Sequence, residues 1–402
     1  MASLFFVVSS LAVAFLIVTL LIIRHNSHHF LDLKSLPDKT KPKKELADPV
    51  ISILIPARNE EKNILRLLKS IDQQDFSGSI EILVLDDHSD DRTREIVLEF
   101  SKSSGYPVRI HEGKDKPDDW LGKNWACHQL SSLAQGNVLV FLDADTWLAP
   151  SFLRGMLYRM SSFKLDFLTV WPHQVMNSII EKSVISTVYA TIVMYLPTLY
   201  SFKAPPWIPT QFLKMKAKPL FASACGQCMV FTKKCYNEIG GHQGVKMEVV
   251  EDMKLAKRVV SSGMTMRMFH GTDRIWCRMY QTNKQVFEGF RKNFLAGFDY
   301  NLLPFSFAWI LHIVVFILPP VFLISILAGI DLDIDTVSAT GTAAILTAIP
   351  ALQRLWVSGF LKWPQSAGWL YLIGIFWFQF LAIIVVKDKL TQKRSVWKGR
   401  PV

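Results

Sequence analysis

The sequence predicts an α/β fold: a doubly wound, mostly parallel sheet, preceded by a transmembrane anchor and followed by transmembrane or interfacial helices. Two observations predict this arrangement. Between residues 50 and 142, short apolar runs alternate with helical patterns, which is typical of a parallel sheet with helical crossovers. Long apolar segments lie at both ends of the 402-residue chain, and 50% of its residues are hydrophobic, a high share for a purely soluble enzyme.

The first element is an uncharged run at residues 3–23, which matches the roughly 20 apolar residues that span a bilayer. We interpret residues 1–23 as an anchor. A cleaved signal peptide is disfavoured because no positive charge precedes the run, which also exceeds the roughly 7–15 residues of a signal's apolar region. The basic linker 24–48 includes Arg24 and Lys34, so the positive-inside rule predicts that the chain after the anchor is cytoplasmic.

Residues 49–277 are expected to form the sheet domain. Strands are predicted at 50–55, 80–85, 107–110 and 137–142, and helices at 60–71, 92–100 and 124–134. Ligands of such sheets bind at the carboxyl ends of the strands. The polar residues that follow each strand are therefore the candidate site.

The C-terminal part is predicted to return to the membrane. An interfacial amphipathic segment is expected at 278–305, membrane helices within 306–386, and a basic cytoplasmic tail at 387–402. Three crossings, at 306–330, 337–359 and 368–386, would place that tail outside, against the positive-inside rule. We therefore expect one segment, 337–359, to be re-entrant or interfacial. The apolar stretch 178–200 is either an interfacial or a core helix.

The net charge of +11 favours anionic lipid headgroups and a nucleotide diphosphate as partners. Nucleic acid is not expected, because no nucleic-acid-binding motif accompanies the charge. Five cysteines are present, an odd number in a domain expected to face a reducing compartment, so a disulfide framework is not expected. Cys225 and Cys228 have C-x-x-C spacing but no second pair to complete a zinc site, and we interpret them as small buried side chains.

The most informative motif is the pair Asp143 and Asp145, at the end of the predicted strand 137–142. In an extended chain, residues two apart point to the same side. Mg²⁺ or Mn²⁺ shares its coordination between one or two carboxylates and substrate phosphates. The pair therefore predicts a metal site that holds a diphosphate.

A second candidate is the turn after the first strand, with Pro56, Ala57, Asn59 and Glu60. Its free backbone amides and helix N-terminus are suited to contact a nucleotide. The alternative is simple capping of the following helix by Asn59, with the acidic side chain complementing the helix dipole.

Three further motifs complete the candidate site. Asp86 and Asp87 end the second strand and are suited to accept hydrogen bonds from a base or a ribose. Lys123 begins a helix, where its charge would suit a phosphate, although a surface lysine is the alternative. Glu251 and Asp252 open another helix; one of them is a candidate general base, although helix-dipole complementation also explains them.

Taken together, these motifs resemble those of family 2 glycosyltransferases with the GT-A fold. Their order and spacing resemble the membrane branch that glycosylates carotenoid acids, the 4,4'-diaponeurosporenoate glycosyltransferases, and the related hopene-associated enzymes. The resemblance is carried by Ile55-Pro56-Ala57-Arg58-Asn59-Glu60, Val84-Leu85-Asp86-Asp87, Trp120-Leu121-Gly122-Lys123, Asp143-Ala144-Asp145, Gly240-Gly241-His242 and Glu251-Asp252, and by Arg278-Met279-Tyr280-Gln281 and Val396-Trp397-Lys398-Gly399-Arg400.

By that resemblance, the donor is a UDP-sugar and the acceptor a membrane lipid. Asp86 and Asp87 would contact uridine, and Asp143 and Asp145 would hold the metal diphosphate, with Mg²⁺ or Mn²⁺ as cofactor. Asp252 or Glu251 would contact the acceptor, and a single displacement would invert the anomeric centre.

The resemblance has one departure: residues 278–298 lack the Q-x-x-R-W motif of processive family 2 synthases. Transfer of a single sugar, with glucose as the expected one, is therefore favoured over chain elongation. The alternatives are a hopanoid or other glycolipid glycosyltransferase, a polysaccharide synthase, and a polyprenyl-phosphate sugar transferase. A membrane scaffold with an inactive GT-A domain is the non-enzymatic alternative.

Overall fold

A computed structural model of the chain describes residues 2–33, 49–206, 217–330, 335–393, 396–397 and 400–401. Most of the predicted basic linker, residues 34–48, lies outside the described residues. The chain divides into two compact units. The sheet unit comprises His29–Val175 and Thr198–Met279, and the helical unit comprises Met1–His28, Met176–Pro197 and Tyr280–Val402. The predicted continuous domain 49–277 is thus interrupted, because Met176–Pro197 belongs to the helical unit.

The strands are β1 (Ile51–Ala57), β2 (Ile80–Asp86), β3 (Val108–Glu112), β4 (Val138–Leu142), β5 (Thr146–Leu148), β6 (Phe167–Gln174), β7 (Cys228–Thr232), β8 (Met266–Cys277), β9 (Val396–Trp397) and β10 (Arg400–Pro401). The α-helices are α1 (Ala2–His29), α2 (Ile64–Asp72), α3 (Thr93–Ser101), α4 (Gly122–Leu133), α5 (Phe152–Phe163), α6 (Ser186–Tyr195), α7 (Lys233–Glu238), α8 (Glu251–Ser261), α9 (Asn283–Phe294), α10 (Leu302–His312), α11 (Leu318–Leu327), α12 (Thr336–Phe360), α13 (Gln365–Trp369) and α14 (Tyr371–Leu390).

Eight strands form one mixed sheet in the order β3-β2-β1-β4-β7-β6-β8-β5. The predicted α/β class is confirmed, and β1, β2, β3 and β4 run parallel as expected. β7 then pairs antiparallel with both β4 and β6, and β5 pairs antiparallel with β8. β6 and β8 pair parallel, so four of the seven strand pairings in this described sheet are parallel. This arrangement puts the segment before β7 beside the end of β4.

The central strands are apolar because both faces of the sheet are covered. All seven residues of β2 and all five of β4 are buried, as continuous hydrophobic runs in parallel sheets require. The main core joins β1 and β4 to α2 and α5, with Ile53, Leu67, Val140, Phe152 and Met156 among its members.

Several predicted boundaries shift. The first helix extends to His29, so the linker predicted at 24–48 begins as helix. The helix predicted at 60–71 begins only at Ile64, because Asn59 adopts a left-handed backbone (φ 54°) and residues 61–63 form a turn instead. In the predicted tail 387–402, the last helix continues to Leu390.

Among its described residues, the helical unit contains four helices long and apolar enough to span a membrane: Ser3–His29, Leu302–Leu327, Thr336–Phe360 and Tyr371–Leu390. The second includes a π-helical turn at Ile313–Ile317. Residues 337–359, which we expected to be re-entrant or interfacial, lie in a continuous helix of 25 residues, α12. Which of the four cross a bilayer stays a prediction, as does the interfacial placement of 278–305, which contains the amphipathic helix α9.

These helices pack through small apolar clusters, one of which joins Ala12 and Leu16 of α1 to Leu346 of α12 and Ile375 of α14. Interhelical hydrogen bonds add to the packing, as is common in membrane bundles: Gln353 Nε2 donates to the Leu16 carbonyl at 2.9 Å. Other large apolar side chains point outward, and Leu303 is 81% exposed. Exposed apolar surface on this scale is typical of contact with lipid.

Candidate functional site

The loops after β1 and β2 are held together by hydrogen bonds. The Asn59 backbone N–H donates to Ser89 Oγ at 3.0 Å, and Asn59 Oδ1 accepts from the Asp90 N–H at 2.8 Å. Asn59 therefore does not cap the helix that follows it, and that alternative interpretation is wrong. Instead, its side chain fixes the two loops at the carboxyl end of the sheet, where ligands of such folds bind.

The predicted nucleotide-binding residues lie on these two loops. Asp86 and Asp87 are 4% and 7% exposed. Asp86 Oδ1 accepts from the Ser89 N–H at 3.1 Å, so part of its acceptor capacity already shapes the loop. The Asp87 N–H donates to the Ala57 carbonyl at 2.8 Å. The structure thus brings the two motifs together; we call the two hydrogen-bonded loops, after β1 and after β2, the clasp.

The other two residues of the first motif, Pro56 and Glu60, lie at the clasp. Pro56 lies within β1 opposite Leu85, where proline's missing N–H removes one ladder hydrogen bond. The Glu60 N–H donates to Thr93 Oγ1 at 2.8 Å, and Glu60 Oε2 accepts from Asn63 Nδ2 at 2.8 Å. Glu60 therefore orders the turn before α2 rather than standing at its first helical position.

A second group of side chains centres on Lys123, in the first turn of α4. Its ammonium lies 2.9 Å from Asp143 Oδ1 and 3.1 Å from Oδ2, and 3.1 Å from Glu251 Oε1. The lysine side chain is 37% exposed and that of Glu251 8%. Lys123 is therefore no ordinary surface lysine, because it bridges the carboxylates that follow β4 and open α8.

Asp252 joins this group through the backbone of Gly226. The Gly226 N–H donates to Asp252 Oδ2 at 2.7 Å. A Cβ at position 226 would lie 3.2 Å from Lys123 Nζ and 3.3 Å from both Asp252 Oδ2 and Glu251 Oε1. A side chain there would push these charged groups apart by a few tenths of an ångström, so the segment before β7 forms a wall of the charged cluster.

Asp145 is placed differently from Asp143. Strand β4 ends at Leu142 and residues 144–145 form a turn, so the extended geometry that we predicted for the pair is wrong. Asp145 Oδ1 accepts from the Cys277 thiol at 3.4 Å, while Asp143 pairs with Lys123. Among the described residues, no group of three or more His, Cys, Asp or Glu side chains forms a metal cluster.

Within this cluster, the neighbouring carboxyl groups of Glu251 and Asp252 have pKa values shifted in opposite directions. Burial disfavours the Lys123 ammonium, but Asp143 and Glu251 outweigh burial and hold the lysine pKa well above its usual value. Burial likewise disfavours the Glu251 carboxylate, yet Lys123 outweighs it and lowers the pKa of Glu251. Burial and the neighbouring charge of Glu251 raise the pKa of Asp252 to about 7. Perturbed pKa values of this kind are typical of functional sites.

Sequence reasoning missed two contributors to the site. Gly226 was passed over inside Cys225–Cys228, although a glycine at the start of a strand signals close approach of another group. His242, in the Gly240-Gly241-His242 motif, is fully buried; its Nδ1 lies 2.7 Å from the Tyr236 hydroxyl, and its Nε2 has no hydrogen-bond partner within the described part of the chain. All five cysteines are buried and none forms a disulfide; the burial of Cys225 and Cys228 agrees with their interpretation as small buried side chains.

Parts of the chain are similar in sequence to known proteins. Residues 52–240 match the sequence model of the Glycosyl transferase family 2. The 4,4'-diaponeurosporenoate glycosyltransferase of Staphylococcus haemolyticus (strain JCSC1435) is 29% identical over 251 residues, and that of Staphylococcus aureus (strain USA300) is 27% identical over 251 residues. In each case the match covers 61% of this chain and 61% of the relative's length.

Among solved structures, the fold is similar to that of a mannosyltransferase, PcManGT from Pyrobaculum calidifontis, in complex with GDP-Man and Mn²⁺. The TM-score is 0.53 at 16% identity, and the match covers 97% of this chain and 99% of that one. At this identity the likeness shows a shared fold.

Proposed function

We propose that the chain is an inverting glycosyltransferase, because residues 52–240 match the sequence model of the Glycosyl transferase family 2. It transfers a single sugar, glucose, from a UDP-sugar to a membrane lipid such as a carotenoid acid. The single observation that carries this proposal is the cluster of Lys123, Asp143, Glu251 and Asp252 around Gly226. At the end of β4, the cluster places the cation Lys123, which suits the leaving group, beside the carboxyl group of Asp252, whose raised pKa suits it to take a proton from the acceptor.

The donor's nucleoside is assigned to the loops after β1 and β2. Their hydrogen bonds to each other fix the backbone of the clasp before any ligand arrives, and preorganisation of this kind reduces the entropic cost of binding. Asp86 and Asp87 stand at the end of β2, and carboxylates there suit the N–H of a base or the hydroxyls of a ribose. Uridine is taken from the family resemblance.

The donor's diphosphate is assigned to the end of β4. The residues fit Mg²⁺ or Mn²⁺ by the chemistry of their donors: Asp143 and Asp145 offer hard carboxylate oxygens, and such ions take their remaining ligands from phosphates and water. Both Asp143 oxygens already face a cation, the Lys123 ammonium. When bound, the metal would neutralise charge that develops on the departing diphosphate. Lys123 itself is placed to bind a phosphate oxygen and so to assist departure.

The acceptor's oxygen is assigned to Asp252. In the single displacement, that oxygen forms a bond to the anomeric carbon as the bond from this carbon to the diphosphate breaks, and the electron pair leaves with UDP. A hydroxyl acceptor gives its proton to Asp252. A carboxylic acid with a pKa near ~4 is already ionised at pH 7, so its carboxylate forms an ester with no proton to remove.

The membrane is the proposed location of the acceptor. Four helices are long and apolar enough to span it, and the relatives described above are named for transfer to a carotenoid acid. With several crossings, and basic residues following the first helix, the positive-inside rule favours a cytoplasmic sheet unit in a multi-pass protein of the cell membrane.

The test incubates membranes containing the full chain with labelled UDP-glucose, Mg²⁺ or Mn²⁺, and either a carotenoid acid or a sterol-like alcohol. Mass spectrometry of the lipid fraction should show one added hexose per acceptor. Asp145→Ala should reduce transfer, while Glu99→Ala, at an exposed position on α3, should not. A polymeric product or a lipid phosphate sugar would instead establish one of the alternative activities. Full turnover by Asp145→Ala without metal, or no affinity for any sugar nucleotide, would overturn the proposal.

A further inference from the structure

A buried asparagine next to Lys123 holds the segment that leads into α8. Asn124 lies in the first turn of α4 and is 1% exposed. Its Nδ2 lies 2.9 Å from the Val245 carbonyl oxygen, 3.3 Å from that of Lys246 and 3.0 Å from that of Glu248. One side chain thus reaches three backbone carbonyls just before the helix that carries the proposed base.

The amide of Asn124 acts as a hydrogen-bond donor here. A backbone carbonyl oxygen only accepts, so the group that faces three of them is the NH₂ and not the amide oxygen. The NH₂ has two protons, and the Lys246 carbonyl already accepts from the Leu121 N–H at 2.9 Å. The two protons of Asn124 therefore serve mainly the Val245 and Glu248 carbonyls.

The carbonyls that Asn124 binds lie at the end of one regular element and in the irregular segment after it. Residues 246–250 run from the end of the 3₁₀ helix Gly241–Val245 to the start of α8. Within this segment the Glu248 N–H donates to the Val245 carbonyl at 2.9 Å. Backbone carbonyls shielded from water need a donor, and Asn124 supplies it from α4. Its bonds therefore fix the path of the chain into α8.

The start of α8 is thus tied to α4 by two different contacts. The Lys123 ammonium lies 3.1 Å from Glu251 Oε1, but an ammonium on a flexible stem acts as a point charge and orients its partner weakly. The bonds from Asn124 act on the backbone itself. The contact of Asp252 Oδ2 with the Gly226 N–H, at 2.7 Å, depends on where that backbone lies.

We propose that Asn124 is a positioning residue for Asp252. This inference rests on the proposed function, because it takes Asp252 as the base that accepts the proton of a hydroxyl acceptor. By fixing the segment before α8, Asn124 keeps the Asp252 carboxylate on the Gly226 N–H and beside Glu251. The amide protons of Asn124 are committed to carbonyls, so it acts through Asp252 and not on the substrate.

A purely structural role for Asn124 is the competing explanation. In that case its loss lowers the amount of folded protein and reduces transfer to every acceptor by the same factor. A positioning role acts mainly on the step that needs the base. It therefore reduces transfer to a hydroxyl more than transfer to a carboxylate, which has no proton to remove, and it leaves binding of the donor in place.

The experiment replaces Asn124 by leucine, a side chain of similar size without a donor. The full chain in detergent is assayed with labelled UDP-glucose, fixed metal, and an alcohol or an acid of similar hydrocarbon structure, between pH 6 and pH 8. For Asn124→Leu we expect kcat to fall at least tenfold with the alcohol and less than threefold with the acid. The KM for UDP-glucose should change less than twofold. The midpoint of the alcohol profile should move at least half a pH unit lower, because Glu251 is no longer held beside Asp252.

The matched control is Gln74→Leu, which removes an equally buried amide elsewhere in the sheet unit. Gln74 is 6% exposed, and its Nε2 donates to the Ser70 and Ala149 carbonyls at 2.8 and 2.9 Å. This variant should keep the wild-type ratio of alcohol to acid transfer and the wild-type midpoint. If Asn124→Leu does not fold, Asn124→Ser, which is smaller and has a single donor, should show the same pattern with at least a threefold change in the ratio.

The outcomes separate this inference from the function on which it rests. If the wild-type chain transfers no sugar to either acceptor, the proposed function fails. If the wild type transfers sugar, and a folded Asn124 variant loses activity equally with both acceptors and keeps the wild-type midpoint, Asn124 has a structural role only. That result would overturn the positioning role and leave the proposed function intact.

Discussion

The ionisation of Asp252 predicts a pH dependence that distinguishes two kinds of acceptor. Its pKa is raised to about 7 by burial and by Glu251, and a general base acts only when it is deprotonated. At pH 6 about one tenth of the side chains would be ionised, and at pH 8 about nine tenths. The kcat/KM for a hydroxyl acceptor should therefore rise roughly tenfold between these values, since kcat/KM reports the free enzyme.

A carboxylate acceptor provides the internal control for that profile. With a pKa near ~4 it is ionised across the whole range, so its kcat/KM should change less than about threefold between pH 6 and pH 8. The assay is initial-rate transfer of labelled sugar to an alcohol and to an acid of similar hydrocarbon structure, in the same detergent and at fixed metal.

The substitution Asp252→Asn tests the same reasoning independently of pH. It should lower transfer to the alcohol by about 10²–10⁴-fold, the usual contribution of a general base, and lower transfer to the acid about tenfold or less. The amide oxygen can still accept from the Gly226 N–H, so donor affinity should persist. Equal and complete loss with both acceptors, or a profile whose midpoint lies near pH 4, would refute the assignment of Asp252 as base.

Three further predictions concern the surroundings of that carboxylate. Lys123→Met should lower kcat/KM about 10²-fold by removing a cation from the leaving group, whereas Lys114→Met, at an exposed position, should leave the initial rate unchanged. Gly226→Ala should lower kcat about tenfold by displacing charged groups, while Gly105→Ala, whose Cβ would have only an ordinary contact at 3.5 Å, serves as the control in the same rate assay. Burial lowers the pKa of His242 from 6.5 to about 3, so protonation of the unfolded chain should lower the free energy of unfolding by about 2 kcal/mol between pH 6.5 and pH 5. His242→Phe removes this titration and should lose correspondingly less stability over that range, measured by unfolding at each pH. An unchanged loss in the variant would contradict the prediction.

The first half of the sheet was accessible from sequence because its signals are local. Strands β1, β2 and β4 are apolar runs, and β3 alternates apolar and polar residues. A single helix separates each strand from the next, so the hydrophobic pattern of each element can be recognised by itself. The pairing of β5 with β8 and of β6 with β7 depends on residues distant in the chain. β5 has only three residues, too few for any periodicity to be read. Composition does not reveal that residues 176–197 belong to the helical unit, because an apolar stretch of this kind would suit the core of the sheet unit equally well.

The candidate site shows the same division between local and distant information. Carboxylates at strand ends were recognised from the sequence, and Asp86, Asp87 and Asp143 do lie at the ends of β2 and β4. The period-two argument failed for Asp145 because the strand stops at Leu142 and a turn redirects the second side chain toward Cys277. The contacts of Lys123 with Asp143 and Glu251 join three separate elements, and only the folded chain displays them.

The adjacent carboxylates of Glu251 and Asp252 could not be assigned separate roles from their sequence, and the structure separates them through Lys123. The ammonium lies 3.1 Å from Glu251 Oε1, which stabilises the ionised form and makes that carboxylate a weak proton acceptor. The negative charge held there then disfavours a second one on Asp252, whose affinity for a proton increases. A group whose pKa lies near the working pH is the better general base. In the proposed mechanism, Glu251 positions Lys123 and raises the basicity of Asp252. Glu251→Gln should therefore shift the Asp252 profile to lower pH.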